Sequence, residues 1–485
     1  MPGPAGSTNR LPPPLRHHKG TLLSVEATTT PPVQGKATDP YTPLRLPQYR
    51  LFTAGRNLSG FADAIQSVAV SWELYARTQD NLVVAYVGLS QAAPILLFAL
   101  PAGHLADRMP RKLVSVTAQT TFSVFTLLLA LLSAFHGPVP LFYLCLFCAM
   151  TARAFGNPAR ASIMPQIVPK ENLASAISWD TSIRRIAVMT GAAVGGYLLE
   201  FTSKLGSKLP VAIHPIVATG AKGPLHKVVA VGRPAFPFVV YVLAGCIGLS
   251  CAWLLSKLQL NEERSTKREP VTWAALAAGI HYVRGTNIIL ATITLDLLAV
   301  LFGGAVSLLP VYASDILHTG AGSLGLMRSA GSFGALLTAL LMTHMPPVRR
   351  PGQAMLIAVA GFGVATIVFG YSHSLPVALV ALALIGALDM ISVVVRQTLI
   401  QTLTPNEMRG RVNAINAIFV NSSNEIGGIE SGVVSKYTNP VFSVVSGGIG
   451  CLLVVAFAAI KWPALRNYDS TAPGAHNPEQ ASNLT

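Results

Sequence analysis

Charged residues are scarce in this chain: only 11% of its 485 residues are Asp, Glu, Lys or Arg. A soluble domain carries roughly 25% charged residues. Hydrophobic residues make up 51% of the chain, and the mean hydropathy is +0.52. So few charges cannot cover the surface of several soluble domains, which excludes the soluble classes. Since one helical crossing of a bilayer takes about 20 apolar residues, and about 40 with its loop, the length predicts about twelve crossings.

Cysteine is also rare, and the motifs of common enzymes are missing. All five cysteines fall in apolar runs, and the pair Cys145 and Cys148 has neither a second pair nor a nearby histidine, so we expect no metal site and no disulfide framework. Neither a Gly-x-x-x-x-Gly-Lys-Ser/Thr phosphate loop nor a Gly-x-Ser-x-Gly elbow occurs. We therefore predict a protein that is not an enzyme and uses no cofactor.

Long apolar runs alternate with short polar segments, which is the pattern of a polytopic membrane protein. We predict membrane helices over residues 50–76, 82–106, 112–135, 139–160, 173–200, 237–257, 288–317, 321–345, 352–372, 375–403, 411–436 and 441–462. The predicted domains are a disordered cytoplasmic tail (1–47), an N-terminal half (48–257), a cytoplasmic linker with an amphipathic helix (258–287), a C-terminal half (288–463) and a second disordered cytoplasmic tail (464–485).

Basic residues outnumber acidic ones by 35 to 20, which gives a net charge of +15. Short basic segments follow the even-numbered spans, and the opposite loops are mostly poor in charge. Because Lys and Arg concentrate in cytoplasmic loops, this pattern predicts an inner-membrane protein with both termini in the cytoplasm. It also gives no reason to expect nucleic-acid binding. The basic segment 202–236 is an exception that the sequence leaves unexplained.

An internal repeat relates the two halves of the chain. A segment around the end of span four and a segment around the end of span ten share Arg, a hydroxyl residue, aliphatic residues, Pro and Glu at a common offset of 236 residues. The aligned residues are Arg160 and Arg396, Pro169 and Pro405, Glu171 and Glu407, Gly191 and Gly427, and Gly196 and Gly432. The repeat predicts two six-helix halves, with a substrate site between them near the middle of the membrane.

The loop after span two contains a motif that is a candidate for gating; the alternative is that its charges only set the topology. Its residues are Gly103, Asp107, Arg108, Arg111 and Lys112. A glycine allows two helix ends to approach closely, and a carboxylate at the membrane edge can hold one conformation closed through a charge-assisted contact. With this motif the sequence resembles the major facilitator superfamily over residues from about 48 to 463. The resemblance implies an all-α membrane protein with twelve transmembrane helices in two six-helix pseudo-repeats.

Residues 296–313 and 404–432 resemble the branch of that superfamily that contains enterobactin exporters and macrolide efflux pumps. Related drug–proton antiporters often carry Gly-Pro in span five, whereas here Ala192 follows Gly191. Antiport therefore does not follow from that motif.

Several ionisable residues lie within the spans that, by the resemblance, line the central cavity: Asp63, Arg153, Asp296, Asp389 and Arg396. A charge at bilayer depth costs at least about 2.5–3.5 kcal/mol, so such residues usually face a cavity or a partner. Asp63 is our first candidate for proton coupling and Asp389 is the second. Arg396, seven residues after Asp389, is the expected partner of Asp389 when that carboxylate is ionised. Asp296 is a third candidate, at a depth that also suits a structural pair. The alternative is that all are structural ion pairs.

A second group of charges lies in spans five, eight and eleven, which by the resemblance contact the opposite half: Asp180, Arg184, Arg185, Arg328, Glu425 and Glu430. They are candidates for gating between the halves or for structural pairing.

Together these features predict a secondary active transporter that acts as a monomer in the lipid bilayer. We expect its partners to be a small-molecule substrate and protons, with proton-driven export of a siderophore of the enterobactin type. A macrolide or multidrug efflux pump is the alternative, as is a non-transporting membrane receptor that keeps the fold.

Overall fold

Long α-helices form almost all of the described chain. The computed structural model describes residues 3, 41–206, 237–260, 273–345 and 348–469, and those from 41 onward belong to one compact unit, Pro40–Thr485. No β-strand occurs among the described residues. The long helices, numbered in chain order, are α1 (Pro47–Thr78), α2 (Asn81–Arg108), α3 (Arg111–Ala134), α4 (Val139–Ala161), α5 (Leu173–Gly206), α6 (Pro237–Ser256), α7 (Asn287–Phe302), α8 (Ala321–His344), α9 (Pro351–Gly370), α10 (Leu375–Leu403), α11 (Asn406–Tyr437) and α12 (Pro440–Lys461).

Shorter helical segments lie between and beside the long ones. They are Thr42–Arg45, Met164–Ile167, Lys170–Asn172, Trp273–Gly285, Gly304–Leu308, Leu309–Val311, Tyr312–Ile316 and Pro463–Asn467. Trp273–Gly285 lies in the segment where the sequence predicts an amphipathic linker helix. Most of the two predicted tails, and residues 207–236 of the basic loop, lie outside the described residues. The described tail residues contribute to two short helices, Thr42–Arg45 and Pro463–Asn467. Each helix packs against the rest of the protein through a buried residue, Pro43 in the first and Leu465 in the second.

Membrane-crossing helices account for the apolar composition. In the described part of the chain, ten of the twelve long helices are long and apolar enough to cross a bilayer. The other two, α1 and α11, are long enough but carry more polar and charged residues. These are also helices that supply carboxylates to the site described below. The predicted all-α, twelve-helix fold is confirmed.

The helices form two halves that meet along two seams. Helices α1–α6 pack with one another, as do α7–α12, and the halves meet where α2 packs on α11 and α5 packs on α8. We call the end where α1 turns into α2 the hairpin end, and the end that carries the linker helix Trp273–Gly285 the linker end. The predicted arrangement of two six-helix halves is therefore present.

Repeated glycines allow the helices to approach closely at equivalent places in the two halves. A Cβ atom on Gly191 of α5 would lie 2.6 Å from the carbonyl oxygen of Phe61 in α1, and one on Gly427 of α11 would lie 2.6 Å from that of Leu301 in α7. Small residues at such contacts let membrane helices pack backbone against backbone. The glycines of the sequence repeat thus mark the same contact in both halves.

Candidate transport cavity

A cavity of about 760 Å³ lies between the two halves. Its lining comes from α1, α2 and α5 on one side and from α7 to α11 on the other. The ionisable residues of the lining are Asp63, Arg184, Arg185, Arg328, Asp389 and Glu425. All six were predicted as cavity or inter-half residues. The cavity therefore collects charges from both sequence-predicted groups into one chamber.

Asp63 of α1 forms an ion pair with Arg153 of α4 at the cavity. The side chains remain partly open, with 30% of Asp63 and 16% of Arg153 exposed. The Arg153 guanidinium also lies 4.8 Å from the centre of the Phe122 ring, a distance at which a cation–π attraction helps to hold it. The pair therefore joins two helices of one half while its carboxylate still borders the chamber.

Asp296 of α7 forms a second ion pair, with Arg396 of α10, and this pair is buried. Only 5% of Asp296 and 3% of Arg396 is exposed, and Ser392 donates a hydrogen bond of 3.2 Å to the Asp296 carboxylate. We expected Arg396 to pair with Asp389, and this expectation is wrong. Seven helical residues place Arg396 about 10 Å along the axis from Asp389, too far for contact, whereas α7 presents Asp296 directly. Neither Asp296 nor Arg396 lines the cavity.

Two carboxylates of the C-terminal half line the cavity without an ion pair. Neither Asp389 of α10 nor Glu425 of α11 makes a salt bridge or hydrogen bond in the described residues. Arg185 is a neighbour of opposite charge to Asp389. Glu425 faces the backbone of Gly88 in α2, where a Cβ atom would lie 3.1 Å from its carboxylate. These acids are free to interact with a substrate or with protons.

Helix α7 loses its regular form where it borders the cavity. After Phe302 the chain passes through the 3₁₀ segment Gly304–Leu308 and the π-turn Tyr312–Ile316. Gly304 lies against the backbone of Gly427 and the hydroxyl of Ser431, so a side chain at this position would collide with α11. Irregular backbone at membrane depth is tolerated where it lines a cavity. This irregular segment therefore forms part of the cavity wall.

Polar contacts join the two halves near the hairpin end. Arg328 of α8 donates to Ser67 and Ser71 of α1 at 2.7 and 2.9 Å. Tyr75 donates to Asp315, which follows α7.

An exposed ion pair forms a further contact at this end, where Lys436 of α11 lies 3.1 Å from Asp80. Burial alone would raise the pKa of Asp80, but the hydrogen bond from the Leu82 amide and the pairing with Lys436 lower it overall.

The remaining predicted residues are dispersed. Asp180 binds Arg56 of α1 at 2.9 Å, a contact within one half rather than between halves. Glu430 accepts a hydrogen bond from its neighbour Ser431. In the loop motif, Gly103 and Asp107 lie in α2, and the surroundings of Gly103 and the side chain of Asp107 are outside the described part. Arg108 is exposed, Arg111 donates to the Ser162 carbonyl at 3.3 Å, and Lys112 borders a second cavity near the end of α6.

A buried arginine in the N-terminal half was not among the predicted site residues. Arg160 was assigned to a cytoplasmic loop, yet it is 6% exposed and donates to Gln119 at 2.9 Å. Gln119 also accepts from Ser59 at 2.9 Å, so one amide joins α1, α3 and α4. The alignment of Arg160 with Arg396 in the repeat was the signal that could have identified this residue.

Comparison with known proteins gives a consistent result. Residues 52–428 match the family model described as Major Facilitator Superfamily. Proteins named enterobactin exporter EntS, from Shigella boydii serotype 4 and from Escherichia coli K12, are 24% identical over 430 residues, which cover 88% of this chain and 94% of theirs.

Solved structures share the fold at lower identity. A bacterial homologue of the human lysosomal transporter Spinster, in an inward-facing and unoccupied conformation, aligns with a TM-score of 0.61 at 15% identity and covers 90% of this chain and 98% of its own. The xylose transporter XylE from E. coli, in an inward-open conformation, aligns with a TM-score of 0.63 at 15% identity and covers 89% of this chain and 98% of its own.

Proposed function

Because this chain belongs to the Major Facilitator Superfamily, we propose that it is a secondary active transporter that exports small amphipathic molecules in exchange for protons. A siderophore of the enterobactin type is the substrate that we favour, because the relatives named enterobactin exporter align over 88% of the chain. A macrolide or another drug is the alternative substrate. In either case the cavity between the halves is the proposed binding site.

The observation that carries the proton coupling is the partly exposed ion pair between Asp63 and Arg153. A proton that reaches Asp63 removes its negative charge and releases Arg153. Loss of the proton restores the pair. Because the two residues lie on α1 and α4 of one half, this exchange changes a contact at the wall of the cavity against which the other half moves in transporters built from repeats. Asp296 is sealed from the cavity, so it is not a candidate proton carrier in our proposal.

The charge distribution supports a direction for the cycle. We take the linker end as cytoplasmic because basic residues concentrate there, among them Arg108, Arg349 and Arg350. The contacts at the hairpin end then close the chamber toward the outside. Substrate enters the chamber from the cytoplasm while Asp63 is ionised. In the opposite state a proton from outside binds Asp63, and its release to the cytoplasm resets the carrier.

Transport by the purified protein in liposomes tests the proposal. With enterobactin as the probe, we expect an imposed pH gradient to drive its accumulation by wild-type protein. Asp63→Asn should reduce this accumulation to the level of empty liposomes, because Asn cannot carry a proton. The same variant should still exchange enterobactin across the membrane without a gradient, since the cavity keeps its shape. Glu171→Gln is the matched control, because it removes an exposed carboxylate outside the cavity.

The assay also separates the alternatives. Wild-type accumulation that ignores the pH gradient would disprove proton coupling, and a fully active Asp63→Asn variant would exclude Asp63 as the carrier. Binding of enterobactin without any flux would support a receptor. Flux of a macrolide such as erythromycin without flux of enterobactin would support the alternative substrate.

A further inference from the structure

Two adjacent arginines of α5 face the cavity without a carboxylate bound to them. Arg184 is exposed to the chamber and forms no ion pair or hydrogen bond in the part of the chain that the structure describes. The guanidinium of Arg185 donates to the Met390 sulfur at 3.2 Å. A thioether is a weak acceptor, so this contact leaves the charge of Arg185 uncompensated.

Their surroundings add further positive charge. Arg184 has Arg56 and Arg153 as charged neighbours, together with Asp180. Both nearby aspartates are already bound, Asp180 to Arg56 and Asp63 to Arg153. The resulting cluster in the N-terminal half contains the arginines Arg56, Arg153, Arg184 and Arg185 and the aspartates Asp63 and Asp180. Guanidinium groups therefore exceed carboxylates by two.

The opposite wall does not neutralise this excess. Asp389 of α10 is the carboxylate that faces Arg185, but it makes no ion pair with it. Glu425 faces Gly88 of α2 instead. Even if Asp389 compensates Arg185, Arg184 keeps a full positive charge at membrane depth. Such a charge is costly and is expected to face water or a ligand of opposite sign.

The chamber beside these arginines suits an amphipathic anion. Its walls include the apolar residues Val188, Val300, Phe362, Leu382 and Ile385. An arginine presents a planar fork of donors that binds two oxygens of one anionic group at once. The site therefore combines a charged clamp on α5 with apolar surfaces for the body of a ligand.

We propose that Arg184 and Arg185 form an anion-binding subsite that holds a carboxylate or phenolate group of the transported substrate. The inference rests on the proposed transport function and gives its substrate a charge class. A substrate with an oxygen anion at one end and an apolar body matches the subsite. A permanently cationic drug would face repulsion from both arginines.

A pair of probes that differ in charge tests the subsite. Binding of 2,3-dihydroxybenzoate and of its neutral amide, 2,3-dihydroxybenzamide, is measured with purified full-length protein in lipid nanodiscs at neutral pH. We expect the wild type to bind the carboxylate at least about tenfold more tightly than the amide, the ratio that about 1.4 kcal/mol of binding free energy provides. The double variant Arg184→Gln/Arg185→Gln should lose this preference and keep the affinity for the amide.

Matched variants separate a binding role from a folding role. Arg184→Lys/Arg185→Lys keeps both charges and should retain part of the preference. Arg284→Gln removes an exposed charge of the linker helix and should change neither affinity. Equal affinity of the wild type for both probes would overturn the proposal. Failure of the wild type to bind the carboxylate would do the same, as would an unchanged preference in the double glutamine variant.

The binding assay contains no pH gradient, so its outcome is independent of proton coupling. A protein that prefers the carboxylate but transports without regard to pH retains the anion subsite and loses the proposed energy source. A protein that couples flux to protons but binds both probes equally retains the proposed function and loses the subsite.

Discussion

The two halves of this protein build the same ion pair in two different environments. Each half joins its first and fourth helices through an aspartate and an arginine: Asp63 with Arg153 in the first, and Asp296 with Arg396 in the second. The first pair borders the cavity and is partly exposed, whereas the second is sealed. We propose that identical chemistry serves proton exchange on one side and rigidity on the other. Burial, rather than residue type, separates the two roles.

The largest expected effect is the loss of the sealed pair. Asp296→Asn leaves the Arg396 charge buried without a counter-ion, which costs about 3–5 kcal/mol of stability. Asp63→Asn breaks a pair that water already reaches and should cost about 1 kcal/mol or less. Thermal unfolding of both variants in the same detergent measures the difference.

A double variant provides the control for this comparison. Asp296→Leu/Arg396→Met removes both charges and should recover most of the stability lost in Asp296→Asn, because apolar replacement of a whole buried pair is often neutral or stabilising. Equal destabilisation by Asp63→Asn and Asp296→Asn would contradict the assignment of separate roles. So would a double variant that is less stable than the single one.

The sequence predicted which helices carry charge but not which charges meet. Hydropathy and the repeat predicted the twelve helices, because bilayer thickness constrains every crossing in the same way. Asp63 and Arg153 were each predicted to face the cavity, yet their pairing depends on how α1 and α4 rotate against each other. Arg396 was paired with Asp389 because helical spacing shows which residues share a face of one helix. It does not show which residue of a neighbouring helix lies opposite that face. Arg160 was wrongly assigned to a cytoplasmic loop, because a basic residue near a helix end looks in the sequence like the Lys and Arg residues that mark cytoplasmic loops.

A smaller effect is expected where the first half buries an arginine without an acid. Arg160, the repeat partner of Arg396, is held by the neutral Gln119. Gln119→Leu removes a hydrogen bond to a charged group and should cost about 1.5–3 kcal/mol. Gln119→Glu supplies a carboxylate, as in the other half, and should be more stable than the leucine variant. Thermal unfolding again provides the measurement, and a glutamate variant less stable than the leucine variant would contradict this account of Arg160.

The smallest effect concerns the most exposed pair, Asp80 with Lys436, whose side chains are 39% and 40% exposed. It joins the halves at the hairpin end, so it should favour the closed arrangement by about 0.2–1 kcal/mol, and less at high salt. Because pairing and the Leu82 amide lower the pKa of Asp80, this contribution is complete above the usual aspartate pKa of about 3.9 and disappears as pH falls through the lowered value. Between pH 5 and 8 it should stay constant.

Distances between spin labels at His136 and His373, both exposed on hairpin-end loops of different halves, report the closed fraction. Asp80→Asn keeps a side-chain oxygen for the Leu82 amide and removes only the charge, so it should slightly reduce the closed fraction at neutral pH and abolish its loss in acid. A wild type and an Asp80→Asn variant with the same pH profile would show that this pair does not bias the halves. The contribution of this exposed ion pair to the closed arrangement would then be too small to measure. The three pairs, of Asp296, Asp63 and Asp80, would in that case contribute less as their exposure increases.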